Sequence, residues 1–262
     1  MMLMIFLLLV VAVALAQNPP VLDCSTFDPA KIKLITFDVF AALMQCEYSM
    51  NVAIKEKAPF LTDTQVSNMV NQMINGYGSY QGQSYSLEQT GGAEPFVWMA
   101  NSTLAEIIPR MGLVDEIPVY GDLYYQIIST WGDQIPWDGT TDTLNIVSKH
   151  YNIGPLSNGD SDTLRRAMSV FAPMVQPFDI YSSDFPVGAF KPVRACYDQL
   201  SVRTGYARDE ILHVAGAPSD GKGAAEAGIF SALTWKPPIP TGTQPCFTLN
   251  NITDLVALLN LD

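Results

Sequence analysis

Residues Leu34-Ile35-Thr36-Phe37 form a short, largely apolar run that ends on a carboxylate, Asp38, with Val39 and Phe40 beyond it. Such a run predicts a buried central strand of an α/β sheet, its last residue presented at the carboxyl edge where ligands bind. A buried carboxylate is costly unless it is paired or used; a structural pairing or a helix N-cap would also account for it. Strand-like alternation then disappears. Val66, Met69, Val70, Met73 and Ile74 fall at helical spacing, as do Leu104, Ile107 and Ile108, and apolar positions recur through Leu123, Tyr124, Ile127 and Ile128. The Gly- and Tyr-rich stretch 76–92 predicts a loop.

From Trp137 onward the pattern alternates between element types. Residues 141–150 read as a helix, 152–156 as a strand that stops at Ser157-Asn158-Gly159, and 162–171 as a helix. Residues 178–182 read as a strand, 193–204 as a helix, 211–215 as a strand, 221–227 as a helix and 231–235 as a strand. This alternation predicts a parallel sheet with helices on both faces. The proline-rich stretch 236–245 predicts an extended surface connection.

Residues 1–16 are an unbroken apolar run ending Ala14-Leu15-Ala16, followed by polar Gln17-Asn18 and Pro19-Pro20. This reads as a secretory signal peptide with a small-x-small cleavage pattern, although no Lys or Arg precedes the run. It is too short to span a bilayer comfortably. The mature chain is therefore expected to be secreted, into an oxidising compartment. There Cys24, Cys46, Cys196 and Cys246 predict two disulfides, with Cys24–Cys246 and Cys46–Cys196 favoured among the pairings. Asn101-Ser102-Thr103 and Asn251-Ile252-Thr253 are N-glycosylation sequons. The 262-residue chain is long enough for one large domain or a core with an insertion. Its formal net charge of −12 argues against nucleic acid and anionic membranes as partners and leaves a small molecule.

Each proposed strand of the α/β part is followed by a polar group: Asp38, then Ser157-Asn158, then Lys191 before Pro192, then Asp220. Parallel strands bring their carboxyl ends to one edge, so these groups should converge. Asp38 is then a candidate covalent nucleophile that forms an ester for water to hydrolyse. Ser157 is a candidate hydrogen-bond donor to the nucleophile or a substrate anion, Lys191 a cation to hold the charge of Asp38, and Asp220 a group to orient Lys191 or the hydrolytic water. His150 and His213, the only histidines, read as structural, and no His/Cys spacing suggests zinc.

Four stretches now carry a resemblance: Phe37-Asp38-Val39-Phe40-Ala41-Ala42-Leu43; Leu156-Ser157-Asn158-Gly159-Asp160; Phe190-Lys191-Pro192 with Cys196-Tyr197; and His213-Val214-Ala215-Gly216-Ala217-Pro218-Ser219-Asp220 running into Gly223 to Gly228. In order, they resemble the four motifs of the haloacid dehalogenase superfamily, most closely its 2-haloacid dehalogenase branch. The resemblance implies a Rossmann-like, doubly wound parallel-sheet α/β core formed by 17–45 and 137–262, with a helical cap subdomain inserted over 46–136. It implies Asp38 as nucleophile and Lys191 as its charge partner, with Tyr197 their neighbour. Asp220 would support water attack. Ser157 and Asn158 would contact substrate or leaving group, with Phe40 beside them. It also allows a homodimer.

The departures are specific. Ala41-Ala42 stand where the first motif normally has Gly-Thr, and Ala215 and Ala217 where the fourth normally offers Ser and Asn. Dehalogenases place an arginine of the early cap helix over the halide; here the nearest match by spacing is Asn71, and Arg110 is the only cap arginine. Three expectations follow. The first is a secreted hydrolase acting on a small 2-substituted carboxylic acid or related electrophile with no cofactor. The second is a non-catalytic descendant with a degenerate site. The third, ranked below the first, is a phosphatase needing Mg²⁺. For that chemistry Phe40 stands where a second Asp is usual, and Gly216 where the first acid of the metal-holding pair belongs.

Overall fold

In the computed structural model, residues 22–172, 179–234, 241 and 245–261 are described. Strand β1 (Leu34–Phe37) is buried at every position and takes an interior place in a five-stranded sheet. Strand β2 (Asn152–Pro155) lies on one side of it, and β3 (Ile211–Ala215), β4 (Phe230–Leu233) and β5 (Phe247–Thr248) follow on the other. Every pairing is parallel, with Leu34 opposite both Asn152 and Ile211. This is the doubly wound α/β core expected from the alternation, and it sends the ends of β1, β2 and β3 to the same edge.

After β1 the chain first forms α1 (Cys46–Lys57), α2 (Asp63–Tyr80), α3 (Pro95–Arg110) and α4 (Asp122–Ser129). The chain leaves the sheet at Met44-Gln45 and returns beside itself at Ile135 to Trp137. Gln45 N–H donates to Ile135 O at 2.9 Å, and Trp137 N–H donates to Leu43 O at 3.0 Å. Helix α2 starts at a reciprocal cap: Thr62 Oγ1 accepts from Gln65 N–H, and Gln65 Oε1 accepts from Thr62 N–H. Its predicted stripe of Val66, Met69, Val70 and Met73 is buried, as are Leu104, Ile107 and Ile108 of α3.

Downstream, α5 (Thr140–Val147), α6 (Ser161–Met168), α7 (Ala195–Thr204), α8 (Pro218–Glu226) and α9 (Asp254–Leu258) complete the core. Among the described residues no helix is long and apolar enough to cross a membrane.

Two local expectations change. Helix α2 runs on through Gly76 to Tyr80 instead of giving way to a loop at 76. A Cβ on Gly76 would lie 2.3 Å from Thr103 Cγ2, so glycine is there for the close approach of α2 to α3. The stretch expected as a strand over 178–182 makes one parallel bridge, Leu156 to Tyr181, while Phe178 lies outside the described residues. Of the 236–245 connection only Thr241 and Pro245 are described, and residues 1–16 lie outside the described residues altogether.

Cys24 and Cys246 form a disulfide between segments 222 residues apart in sequence. The expected Cys46–Cys196 bridge is not formed, and both thiols are free. They belong to separate parts of the interior. Cys46 begins α1, with its Sγ towards Met50 Sδ, whereas Cys196 lies beside Tyr181 and Leu200, with its Sγ on Ala189 O. Burial pushes the Cys196 thiol up to about 12. Burial, together with the Asp38 and Glu47 carboxylates, also raises the Cys46 thiol.

Candidate active site

Asp38 is the residue after β1. Its N–H donates to Val214 O at 2.9 Å, which locks it to the end of β3. The chain then turns through a single π-helical stretch, Val39–Leu43, and Asp38 Oδ2 caps it by accepting from Ala41 N–H at 3.1 Å. Asp38 Oδ1 accepts from Ser157 Oγ at 3.3 Å and from Lys191 Nζ at 3.1 Å. Gly216, after β3, makes room for this carboxylate: a Cβ there would sit 2.5 Å from Asp38 Oδ2.

Lys191 is 4% exposed, and its ammonium uses all three protons. They go to Asp38 Oδ1, to Asp220 Oδ2 at 2.7 Å and to Leu156 O at 2.8 Å. Burial opposes its charge, but Asp220 and then Asp38 outweigh that and hold its pKa above the usual lysine range. Burial likewise works against the Asp220 carboxylate; His213 and Lys191 outweigh it and hold this carboxyl well below the usual range. Asp220 Oδ1 accepts from Tyr197 Oη at 2.8 Å. His213 Nε2 lies 3.0 Å from Asp220 Oδ2, and His213 Nδ1 lies 3.0 Å from Thr36 Oγ1.

Above these groups, between the core edge and the helices over 46–132, is a cavity of about 1690 Å³. Asp38, Lys191, Asp220, Asn158 and Phe40 line it, as do Tyr77 and Trp131 from the opposite wall. An aromatic group fixes that wall: Phe40 stacks on Phe96 with centroids 5.9 Å apart, and Trp131 contacts Phe40, Phe96 and Tyr77. The aromatics thus border the cavity without closing it over Asp38. A carboxylate paired with a buried ammonium and facing such a cavity is equipped for nucleophilic attack.

The structure therefore brings Asp38, Ser157, Asn158, Lys191 and Asp220 together, with Phe40 beside them. Three other residues named from the sequence stay outside the lining. Tyr197 is fully buried behind Asp220 and holds that carboxylate from below, so it positions Asp220 and is not a lining residue. Asn71 is exposed and absent from the lining, because it falls between the buried Met69 and Met73 on the outward side of α2. Arg110 is paired with Glu106 on the surface.

Of the sequons, Asn251 is exposed. Asn101 lies within α3, and the nitrogen that would carry a glycan donates to Val97 O at 2.9 Å. Two contributors were missed by sequence reasoning. His213 reads as structural yet supports Asp220, and Tyr77 reads as a packing aromatic yet brings a hydroxyl to Asn158. The available signal for His213 was a polar residue inside an apolar strand, in register with Thr36.

Sheet order, inserted helices and the groups gathered at the strand ends define the haloacid dehalogenase fold. Among solved structures, the chain is similar to L-2-haloacid dehalogenases in particular. One is a defluorinating L-2-haloacid dehalogenase, with a TM-score of 0.71 at 20% identity over 89% of this chain and 98% of that chain. Another is the L-2-haloacid dehalogenase from Xanthobacter autotrophicus, with 0.69 at 19% over 87% and 98%. The same enzyme with chloropropionic acid covalently bound matches equally. No protein-family model and no curated protein sequence matches the chain.

Proposed function

We propose that the protein is a hydrolase that uses Asp38 as a covalent nucleophile on a small 2-substituted carboxylic acid or a related electrophile, and that it works in an oxidising, extracellular setting. The observation that carries this reading is Lys191 Nζ, bonded to both Asp38 Oδ1 and Asp220 Oδ2 beneath the cavity. An oxygen of Asp38 attacks the substituted carbon, and the bond to the leaving group breaks with its electron pair. Water then adds to the Asp38 carbonyl carbon and the ester opens, which releases the hydroxylated product and restores the carboxylate. Asp220, kept in its carboxylate form by His213 and Lys191, orients that water, one of whose protons passes to the departing alkoxide oxygen while the other is lost to solvent as the Asp38 carboxylate is restored. The chloropropionic acid adduct of the similar Xanthobacter enzyme supports an ester of this kind, and the Cys24–Cys246 bond supports the compartment.

Lys191 supplies the positive charge between the two carboxylates, where a Mg²⁺-dependent phosphatase would need its ion; no metal is required by this scheme. Among the described residues no group of three or more His, Cys, Asp or Glu side chains is gathered as a metal site. Lys55, the other lysine of the described lining, is bonded to Asp63 at 2.9 Å and to Leu61 O. Neutral electrophiles therefore suit the cavity as well as acids do. Ala42, Ala215 and Ala217 favour a second reading, a non-catalytic binding protein on the same fold.

Halide release from 2-halopropionates and 2-halopropionamides, assayed with Asp38→Asn alongside, separates the two. Release by the wild type and none by the variant is expected. Absence of release from every compound favours the binding protein.

A further inference from the structure

We propose that Tyr77 is a catalytic residue: its hydroxyl is the donor that stabilises the departing group across the cavity from Asp38. The inference rests on the hydrolase reading above. As the carbon–halogen bond breaks, negative charge grows on the side of the carbon away from the nucleophile, and a fixed donor there lowers the barrier. Two polar groups of the described wall are already committed. Lys191 has no proton left, since its ammonium is bonded to Asp38, Asp220 and Leu156 O. Asn158 is committed as well. Lys191 N–H donates to its Oδ1 at 2.6 Å, which fixes the amide orientation and turns Nδ2 to Tyr77 Oη at 2.9 Å. Tyr77 Oη is thus an acceptor in that bond and keeps its own proton to give.

The ring is held for the task. It packs against Trp131, Phe96 and Phe190 with centroids 5.8, 6.3 and 6.4 Å away. Its other hydrogen-bond neighbour is the side chain of Gln81, one turn on and also on the cavity wall. Burial, and then the Asp38 carboxylate, raise the phenol above its ordinary value, so the proton stays on oxygen at neutral pH. In the step itself the Asp38 oxygen–carbon bond forms as the carbon–halogen bond breaks. The halide leaves with the electron pair and accepts a hydrogen bond from Tyr77, whose O–H bond remains intact. Asn71, the position that spacing suggested for this duty, is on the outside of the same helix.

The test uses the full chain and its Tyr77→Phe variant, with melting temperature as the folding control. 3-Fluorotyrosine at position 77 serves as a second variant that preserves the packing and strengthens the donor. Turnover is measured on 2-chloro-, 2-bromo- and 2-iodopropionamide and the matching acids. Bromide affinity is measured separately by quenching of tryptophan fluorescence. Loss of the hydroxyl should lower kcat about 100-fold on the chloro compounds and less than about 10-fold on the iodo compounds, and it should weaken bromide binding. Fluorotyrosine should act in the opposite direction on the chloro compounds. An equal loss on all halides, or none, overturns the assignment of Tyr77 and leaves the hydrolase reading standing. If the wild type releases no halide from any compound, the hydrolase reading falls, and an unchanged bromide affinity in Tyr77→Phe removes Tyr77 as a halide donor too.

Discussion

His213 Nε2 stands 3.0 Å from Asp220 Oδ2, with no part of the histidine exposed. In the neutral ring this nitrogen donates to the carboxylate, and Nδ1 accepts the Thr36 hydroxyl. The imidazole therefore closes a buried chain from Thr36 through Asp220 and Lys191 to Asp38. Replacing it with phenylalanine strips one partner from each of Thr36 and Asp220. His213→Phe should lose about 1–3 kcal/mol of stability for each buried group left short and should turn over more slowly. His213→Gln, which keeps a donor, should recover part of both. Urea unfolding and kcat on the same samples check this, and a variant equal to wild type in both contradicts it.

The same chain sets a pH dependence. Asp220 has its folded pKa depressed, so its contribution to stability is complete above the unfolded value of about 3.9 and drains away as pH falls through the folded value. Lys191 has its folded pKa raised, so its contribution is complete below about 10.4 and is lost as pH rises through the folded value. The urea midpoint should therefore hold between those limits and fall outside them. Asp220→Asn should flatten the acid side of the curve; an acid limb unchanged in that variant would count against Asp220 as its source.

Gly216 offers a steric test of the nucleophile's seat. A methyl there would meet Asp38 Oδ2 and Ala41 Cβ at 2.5 Å and Ala42 N at 2.7 Å, so the carboxylate must move. Gly216→Ala is expected to cost about 1–3 kcal/mol of stability as an overpacked site and to reduce kcat by more than that loss explains. Gly78, late in α2, has nothing within 4 Å of an added Cβ. Gly78→Ala should be neutral or stabilising by about 0.5–1 kcal/mol, with activity unchanged. Equal activity in both variants would mean that Asp38 does not need its observed position.

The cysteines give a count. The native protein, unfolded in denaturant without reductant, should show two titratable thiols, Cys46 and Cys196, and reduction should double that number. Cys24→Ser should cost about 2–5 kcal/mol, because it opens a very long loop. Finding no thiol before reduction would instead establish a second bridge.

Much of the core could be read from the chain because its signals are local. The run Leu34–Phe37 ending on Asp38, and Ile211–Ala215 leading towards Asp220, each announce a buried strand with a polar residue beyond it. Lys191 is different. It follows no regular strand, and its place at the edge came from the order of polar groups along the chain and from the resemblance of Phe190-Lys191-Pro192 to a known motif. Long-range facts left no local mark. A histidine between Leu212 and Val214 looks like core until Asp220 folds back over it. Tyr77 looks like packing until Asn158, just after β2, meets its hydroxyl. An even number of cysteines suggests pairs, but it carries no distance, and Cys46 and Cys196 sit in separate clusters of the interior. Glycine's low helix propensity at 76 was overridden by the tight contact with Thr103, which only glycine permits.

The central claim is that Asp38 becomes covalently esterified and is freed by water. It is tested most directly by repeated turnover of 2-bromopropionate and 2-bromopropionamide in ¹⁸O-labelled water, followed by mass spectrometry of the peptide that carries Asp38. Hydrolysis at the Asp38 carbonyl carbon predicts heavy oxygen in that peptide, building up over successive cycles, and none when Asp38→Asn is treated in the same way. Turnover with the label confined to the product would contradict the account, because water would then have attacked the substrate directly.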